Sequence, residues 1–302
     1  MADLNVDVAG LKMKNPLITA SGTSGYGREL AELFDLSLLG GISVKGTTLE
    51  PRLGNPPPRI AETPSGMLNS VGLQNPGIEK VLATELPFLC QFDTAVILNI
   101  AGHEPEDYRR LAELAEQASG IAALEVNISC PNVKCGGMAF GADPAIAGQV
   151  ISLVRQVTRL PLIAKLTPNV TDITEIAKAV EAAGADAVSL INTLLGMAID
   201  VEHRRPLLAN TFGGLSGPAV KPVALRMVWQ TSHGVSIPVI GMGGITSAAD
   251  AIEFMMAGAA AFQIGSANFH NPSAAPQIIT ELNAWLDSHG VENVSDLVGA
   301  AW

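Results

Sequence analysis

The stretch LIAKLTPNVTDITEIAKAVEAAGADAVSLIN, residues 162–192, decides the fold. Leu162–Ala164 is a short apolar run that breaks at Lys165. Across 172–183, apolar residues fall at Ile173, Ile176, Ala177 and Val180, the spacing of one helix face. Ala182-Ala-Gly184 reads as the end of that helix, because glycine readily takes the left-handed turn that closes one. A second apolar run, 187–191, then breaks at Asn192. Strand, amphipathic helix, strand is the unit that builds parallel sheets, since parallel neighbours need a crossover of this length.

The same alternation extends in both directions. Apolar, β-rich runs recur at 17–20, 41–44, 95–98, 123–126, 238–240 and 260–264. Helical periodicity predicts helices over 78–92, 104–118, 144–157, 218–233, 247–257 and 271–289. Asp143-Pro144 and Asn271-Pro272 read as an N-cap followed by proline at the first helical position, and Met256-Ala-Gly258 as a helix end. Eight strands alternating with helices in a chain of 302 residues predict a (β/α)8 TIM barrel, with a doubly wound open sheet as the alternative. No shift of composition divides the chain, so residues 1–302 are expected to form one domain. Two connections, Gly46–Gly77 and Thr193–Gly217, are too long for tight turns. In a barrel both would lie over the C-terminal face, and long loops inside a compact domain are usually functional.

Composition narrows the possible functions. With 48% hydrophobic and 16% charged residues the chain is not disordered. Its net charge of −11 disfavours a nucleic-acid partner, whose phosphates call for clustered Lys and Arg. No apolar run approaches the ~20 residues of a membrane helix, and the first residues lack the pattern of a signal peptide. Three cysteines, Cys90, Cys130 and Cys135, fit neither a disulfide framework nor a zinc or iron–sulfur ligand set, and suggest a reducing, cytoplasmic setting. The five histidines are scattered and form no metal motif.

The strand ends carry the functional signal. Six of the eight runs end in a hydrogen-bonding side chain: Ser21, Lys45, Asn99, Asn127, Lys165 and Asn192. On a barrel these converge at one mouth. Polar residues do mark where strands leave a core, but two lysines at buried strand ends are expensive unless something pairs with them. An anionic ligand rich in hydrogen-bonding groups would do so. The last two runs lead into Gly241-Met-Gly-Gly244 and Gly265-Ser-Ala-Asn268, each opening a helix, and the loops after strands 7 and 8 are the usual phosphate site of this fold. Cys130, three residues past Asn127, is open to two readings: a base or nucleophile at the mouth, or a small packing residue. Cys90, within a helix, reads as core packing; Cys135 has no assigned role.

These motifs together resemble the dihydroorotate dehydrogenases. The resemblance rests on Asn127-Ile-Ser-Cys-Pro-Asn132, Val44-Lys-Gly-Thr-Thr48, Pro56-Pro-Pro-Arg59, Asn69-Ser-Val-Gly-Leu-Gln-Asn-Pro-Gly77, Ile191-Asn-Thr193 and Gly241-Met-Gly-Gly-Ile245, and runs from near residue 4 to the C-terminus. Cysteine rather than serine at 130 is similar to the soluble class 1 enzymes, and Val133-Lys-Cys-Gly-Gly-Met-Ala-Phe-Gly141 to the NAD-linked class 1B type. The resemblance implies an FMN-containing barrel that oxidises dihydroorotate to orotate in pyrimidine biosynthesis. It implies FMN contacts from Ser21, Lys45, Gly46, Asn99, Asn127, Lys165, Ile191, Gly217, Gly243, Gly244, Gly265 and Ser266. It implies pyrimidine contacts from Lys45, Asn69, Ser70, Val71, Gly72, Leu73, Asn127, Asn192 and Thr193, with Cys130 as the catalytic base. It further implies a partner subunit carrying FAD and an iron–sulfur cluster, in a heterotetramer built on a homodimer of this chain. The chain's own sequence has no G-x-G-x-x-G dinucleotide fingerprint and no set of four cysteines. The alternatives are a fumarate-linked homodimeric relative and a flavin-free phosphate-binding barrel lyase or isomerase. The related uracil-reducing barrel would call for fused iron–sulfur and NADPH domains, and a dihydrouridine synthase for a basic surface.

Overall fold

The computed structural model of the chain describes residues 2–129, 134–135 and 138–302, with backbone alone at 134–135 and 138–139. Eight strands close into a parallel barrel: β1 Leu17–Thr19, β2 Gly41–Ser43, β3 Ala95–Ile100, β4 Ala123–Asn127, β5 Leu162–Lys165, β6 Ala187–Leu190, β7 Val239–Met242 and β8 Ala259–Ile264. Each pairs with its chain neighbours, and β8 pairs with β1 to close the ring. All eight lie where the apolar runs place them. Strands so short stay paired because both faces are buried, one by the barrel interior and the other by helices.

Register puts chemistry on one level. Lys165 stands opposite Asn127 on β4 and Ser189 on β6, while Glu125 stands opposite Asn99 and Ile163. The crossover helices begin at side-chain caps. Asp143 accepts from the N–H groups of Ala145 and Ile146 ahead of Pro144–Arg155, and Asp172 accepts from Thr174 ahead of Ile173–Ala182. Each such cap contributes about 1 kcal/mol and fixes where the loop ends and the helix begins.

Three features depart from the sequence reading. The expected N-cap at Asn271 is instead the end of a four-residue helix, Ala267–His270; the long helix starts at Ala274, and Asn271 Oδ1 accepts from Ser273 N–H at 3.1 Å. Asn271 already donates its own N–H to Ala267, so it closes one helix rather than opening the next. Cys90 is exposed at the end of Leu86–Leu89, not packed in the core, because the helix stops there and turns it outward. The two long connections, which the sequence places over the C-terminal face, add paired structure that it did not specify. The hairpin Ile60–Thr63/Gly66–Asn69 pairs with Gly213–Ser216, which pairs with Leu194–Gly196, giving a four-stranded antiparallel sheet over the mouth. A further hairpin, Val6–Val8/Leu11–Met13, buries its apolar side at the opposite end, with Met13 packed near Gly41. Among the described residues no helix is long and apolar enough to cross a membrane.

Candidate active site

The site is built in two tiers, a buried polar layer inside the barrel and a cavity above it. Glu125 sits at the centre of the layer with no exposed surface. Its Oε1 accepts from Ser189 Oγ on β6 and Gln263 Nε2 on β8, both at 2.8 Å. Its Oε2 accepts from Ser43 Oγ on β2 at 2.8 Å and Asn99 Nδ2 on β3 at 2.6 Å. Lys165 Nζ, from β5, lies 3.7 Å from the same oxygen. Burial is the largest influence on this carboxyl and pushes its pKa up. The Lys165 charge and the hydrogen bonds from Gln263, Ser189 and Ser43 outweigh it and hold the group below the ordinary glutamate value. The carboxylate is thus ionised and fully ligated. Removing one member of such a pair would strand the other charge at a cost of about 3–5 kcal/mol.

Lys165 links the tiers. It is buried, reaches Ser21 Oγ at 3.4 Å, and lines the cavity above. That cavity has a volume of about 530 Å³, within the usual range for a small-molecule site. Its walls include Ser21, Lys45, Gly46, Asn127, Lys165, Ile191, Asn192 and Thr193 from the strand ends, and Gly243, Gly244, Gly265 and Ser266 from the two glycine loops. The sheet over the mouth and the loop that follows its hairpin add Asn69, Ser70, Val71, Gly72 and Leu73. Residues far apart in the chain are therefore brought together: Asn69 Nδ2 donates to the carbonyl of Gly214, 145 positions away, at 3.3 Å. Close approach requires glycine at 214, where a Cβ would fall 2.0 Å from Thr193 Oγ1.

Two expected residues stand behind the wall. Asn99 is bound to Glu125 beneath the cavity. Gly217, at φ 104°, supports Gly244 from outside, its carbonyl 2.8 Å from where a Gly244 Cβ would lie. Lys45 is half-buried, so the expectation of two buried lysines holds only for Lys165. Cys130 and the start of the loop resembling the NAD-linked type lie outside the described residues.

Hydrogen bonds set the amides of the wall. Asn192 Nδ2 donates to Ser129 Oγ at 2.6 Å, and Ser129 Oγ donates to Asn127 Oδ1 at 2.7 Å. Tyr108, wholly buried on the helix Pro105–Glu116, donates to the Asn127 carbonyl at 3.0 Å. Asn169 holds the next loop, donating to the Thr193 carbonyl at 3.1 Å and accepting from Leu195 N–H at 2.9 Å. Sequence reasoning missed Glu125, Ser129, Asn169 and Gln263. Glu125 had a signal of its own, a lone charge within the apolar run Ala123–Asn127.

The donor set fits a flavin nucleotide. Asn99 Oδ1 and Gln263 Oε1 are buried acceptors without a partner among the described residues. Gln263 lines the cavity and Asn99 Oδ1 faces Gly46. Such acceptors suit ring N–H and sugar hydroxyl groups. The lysines suit the carbonyl edge of the ring. At the other end of the cavity, among the described residues, nothing accepts from the N–H groups of Gly243 and Gly244, which precede the capped helix Ala248–Met256. Free backbone N–H groups on such a glycine loop suit a phosphate.

The family model for dihydroorotate dehydrogenases matches residues 3–286. The chain belongs to the dihydroorotate dehydrogenase family. Within it, a Pelobacter propionicus protein named dihydroorotate dehydrogenase B (NAD(+)), catalytic subunit, is 58% identical over 298 residues, covering 99% of this chain and 98% of the relative. Relatives of the same name from Desulforamulus reducens and Geobacillus sp. are 59% identical over 299 residues and 56% identical over 302, covering 99% and 100% of this chain and 98% and 96% of their own lengths.

Proposed function

We propose that the chain is the catalytic subunit of an NAD-linked dihydroorotate dehydrogenase, oxidising dihydroorotate to orotate in pyrimidine biosynthesis. The observation that carries this reading is the convergence of Lys165, Lys45 and the Asn127–Ser129–Asn192 chain on one cavity, in a chain of this family. FMN is the cofactor we assign. Lys45, Asn127, Lys165 and Ser21 hold its ring region, and Gly243, Gly244, Gly265 and Ser266 its phosphate end. Asn99, Gly46, Ile191 and Gly217 support these contacts. Bound FMN supplies the acceptor for the hydride that leaves the substrate's C6.

The chain's own residues do the rest. Asn127 and Asn192 present amide groups that match the N–H and C=O edges of orotate, and their hydrogen-bonded chain fixes which atoms face inward. Lys45 draws in the substrate carboxylate. Asn69 to Leu73, with Thr193, close over the pyrimidine and exclude water. Cys130 is assigned as the base that takes the C5 proton; a positioned base contributes typically 10²–10⁴-fold in rate. Lys165 stabilises negative charge that builds up at the cavity floor. Electrons leave through a partner subunit, which we take to carry FAD and an iron–sulfur cluster, in a cytoplasmic heterotetramer built on a homodimer of this chain.

The test measures the chromophore released on denaturation, then assays dihydroorotate oxidation with dye, NAD and fumarate. One FMN per chain, with dye activity that extends to NAD when the partner is added, is expected. A chain that takes up no FMN after reconstitution refutes the flavin. Efficient fumarate reduction by the chain alone moves it to the homodimeric, fumarate-linked type.

A further inference from the structure

Glu125 is unused by the reading above, yet it accepts hydrogen bonds from side chains on four other barrel strands. Four neutral donors from β2, β3, β6 and β8 saturate its two oxygens, at 2.6–2.8 Å. Such saturation fixes the carboxylate's position. It is a costly way to fill a core, because neutral polar or apolar side chains would fill the same space without burying a charge. What the carboxylate adds is a counter-ion 3.7 Å from Lys165 Nζ. On the cavity side, among the described residues, Lys165 Nζ reaches a single neutral hydroxyl, Ser21 Oγ at 3.4 Å.

We propose that Glu125 is a positioning residue, holding Lys165 charged and aimed at the cavity floor where FMN is placed. The proposal rests on the FMN reading. The groups that face the pair are Ser21 on the β1 side, Ser43 on β2, Asn99 on β3, Ser189 on β6 and Gln263 on β8. None of these titrates near neutrality. Lys45 lines the same cavity. Cys130, the other titratable group assigned to the mouth, lies outside the described residues.

The test is a redox titration of the bound flavin at intervals from about pH 6 to pH 9, in wild type, Glu125→Gln and Glu125→Gln/Lys165→Met. In Glu125→Gln the potential is expected to change slope with pH where wild type does not, as the stranded Lys165 loses its proton. In the double variant that change should vanish. A Glu125→Gln curve parallel to wild type overturns the proposal. So does a slope change that persists without Lys165, which would belong to Lys45 or Cys130. A second measurement needs neither flavin nor a stable Glu125→Gln protein. Infrared spectra of Lys165→Met should show a buried protonated carboxyl band that wild type lacks, because Glu125 without its cation takes up a proton. Absence of that band overturns the pairing. Failure of wild type itself to take up FMN refutes the flavin reading instead, and the infrared result still decides the pair.

Discussion

Ser129→Ala removes the middle of the hydrogen-bonded chain that joins Asn192 to Asn127. Ser129 is buried, so no bulk water replaces its hydroxyl. Two bonds go at once: Asn192 Nδ2 loses its acceptor at 2.6 Å, and Asn127 Oδ1 loses a donor at 2.7 Å. Each is worth about 0.5–1.5 kcal/mol net, so the sum spans about 1–3 kcal/mol. Asn127 Oδ1 keeps the Ser129 backbone N–H at 3.2 Å, and alanine preserves that bond. The lower end of the range is therefore expected in ligand binding, about 1–1.5 kcal/mol, or roughly five- to tenfold weaker orotate binding at 1.4 kcal/mol per decade. FMN affinity should fall less than orotate affinity, because the glycine loops, Lys45 and Lys165 are untouched and Asn127 is only one of the ring contacts. Orotate titration followed by the flavin spectrum, alongside thermal unfolding of the same samples, measures both quantities. Orotate affinity within twofold of wild type, together with a lowered Tm, would refute the reasoning: the hydroxyl would then stabilise the loop without orienting the two amides.

Other outcomes follow from the same geometry. Cys130→Ala should retain FMN and lose most of its flavin reduction by dihydroorotate in stopped flow, and Cys130→Ser should recover part of it only at raised pH, a hydroxyl being the poorer base. Gly244→Ala places a methyl 2.8 Å from the Gly217 carbonyl at a φ of 77°; with about 1–2 kcal/mol of left-handed strain, FMN affinity by fluorescence titration should fall by roughly tenfold or more. Asp250 has its pKa lowered to about 2: burial pushes it up, but hydrogen bonds from Lys221, Thr246 and Ser247 prevail. A depressed carboxylate stabilises the fold above its unfolded pKa and loses that contribution as pH falls toward the folded one. The Tm difference between wild type and Asp250→Asn should accordingly be full at pH 6 and shrink between about pH 4 and pH 2. The isolated chain should reduce an artificial dye with dihydroorotate but not NAD; efficient NAD reduction without a partner would contradict the assignment of electron exit.

What the sequence determined by itself is what spacing over ten to thirty residues can encode. Apolar runs of three to five residues alternating with helical periods specified eight barrel strands, because each buried face constrains the residues that form it. From strand order alone it followed that Lys165, Asn127 and Asn192 share one mouth. Tertiary structure decided whatever depends on partners distant in the chain. The two long connections form one sheet in which Gly66, Gly213 and Gly214 leave no room for a side chain, close approaches that no local pattern announces. Cys90 and Asn271 were misread for the same reason: whether a residue faces core or solvent, or opens or closes a helix, depends on where neighbouring elements stop. Glu125 is the clearest case. A charge in an apolar run is visible in the sequence as an anomaly, but its four donors and its cation come from five other strands, 26 to 138 residues away along the chain. Only barrel closure brings them within bonding distance, and only then does a buried carboxylate become favourable.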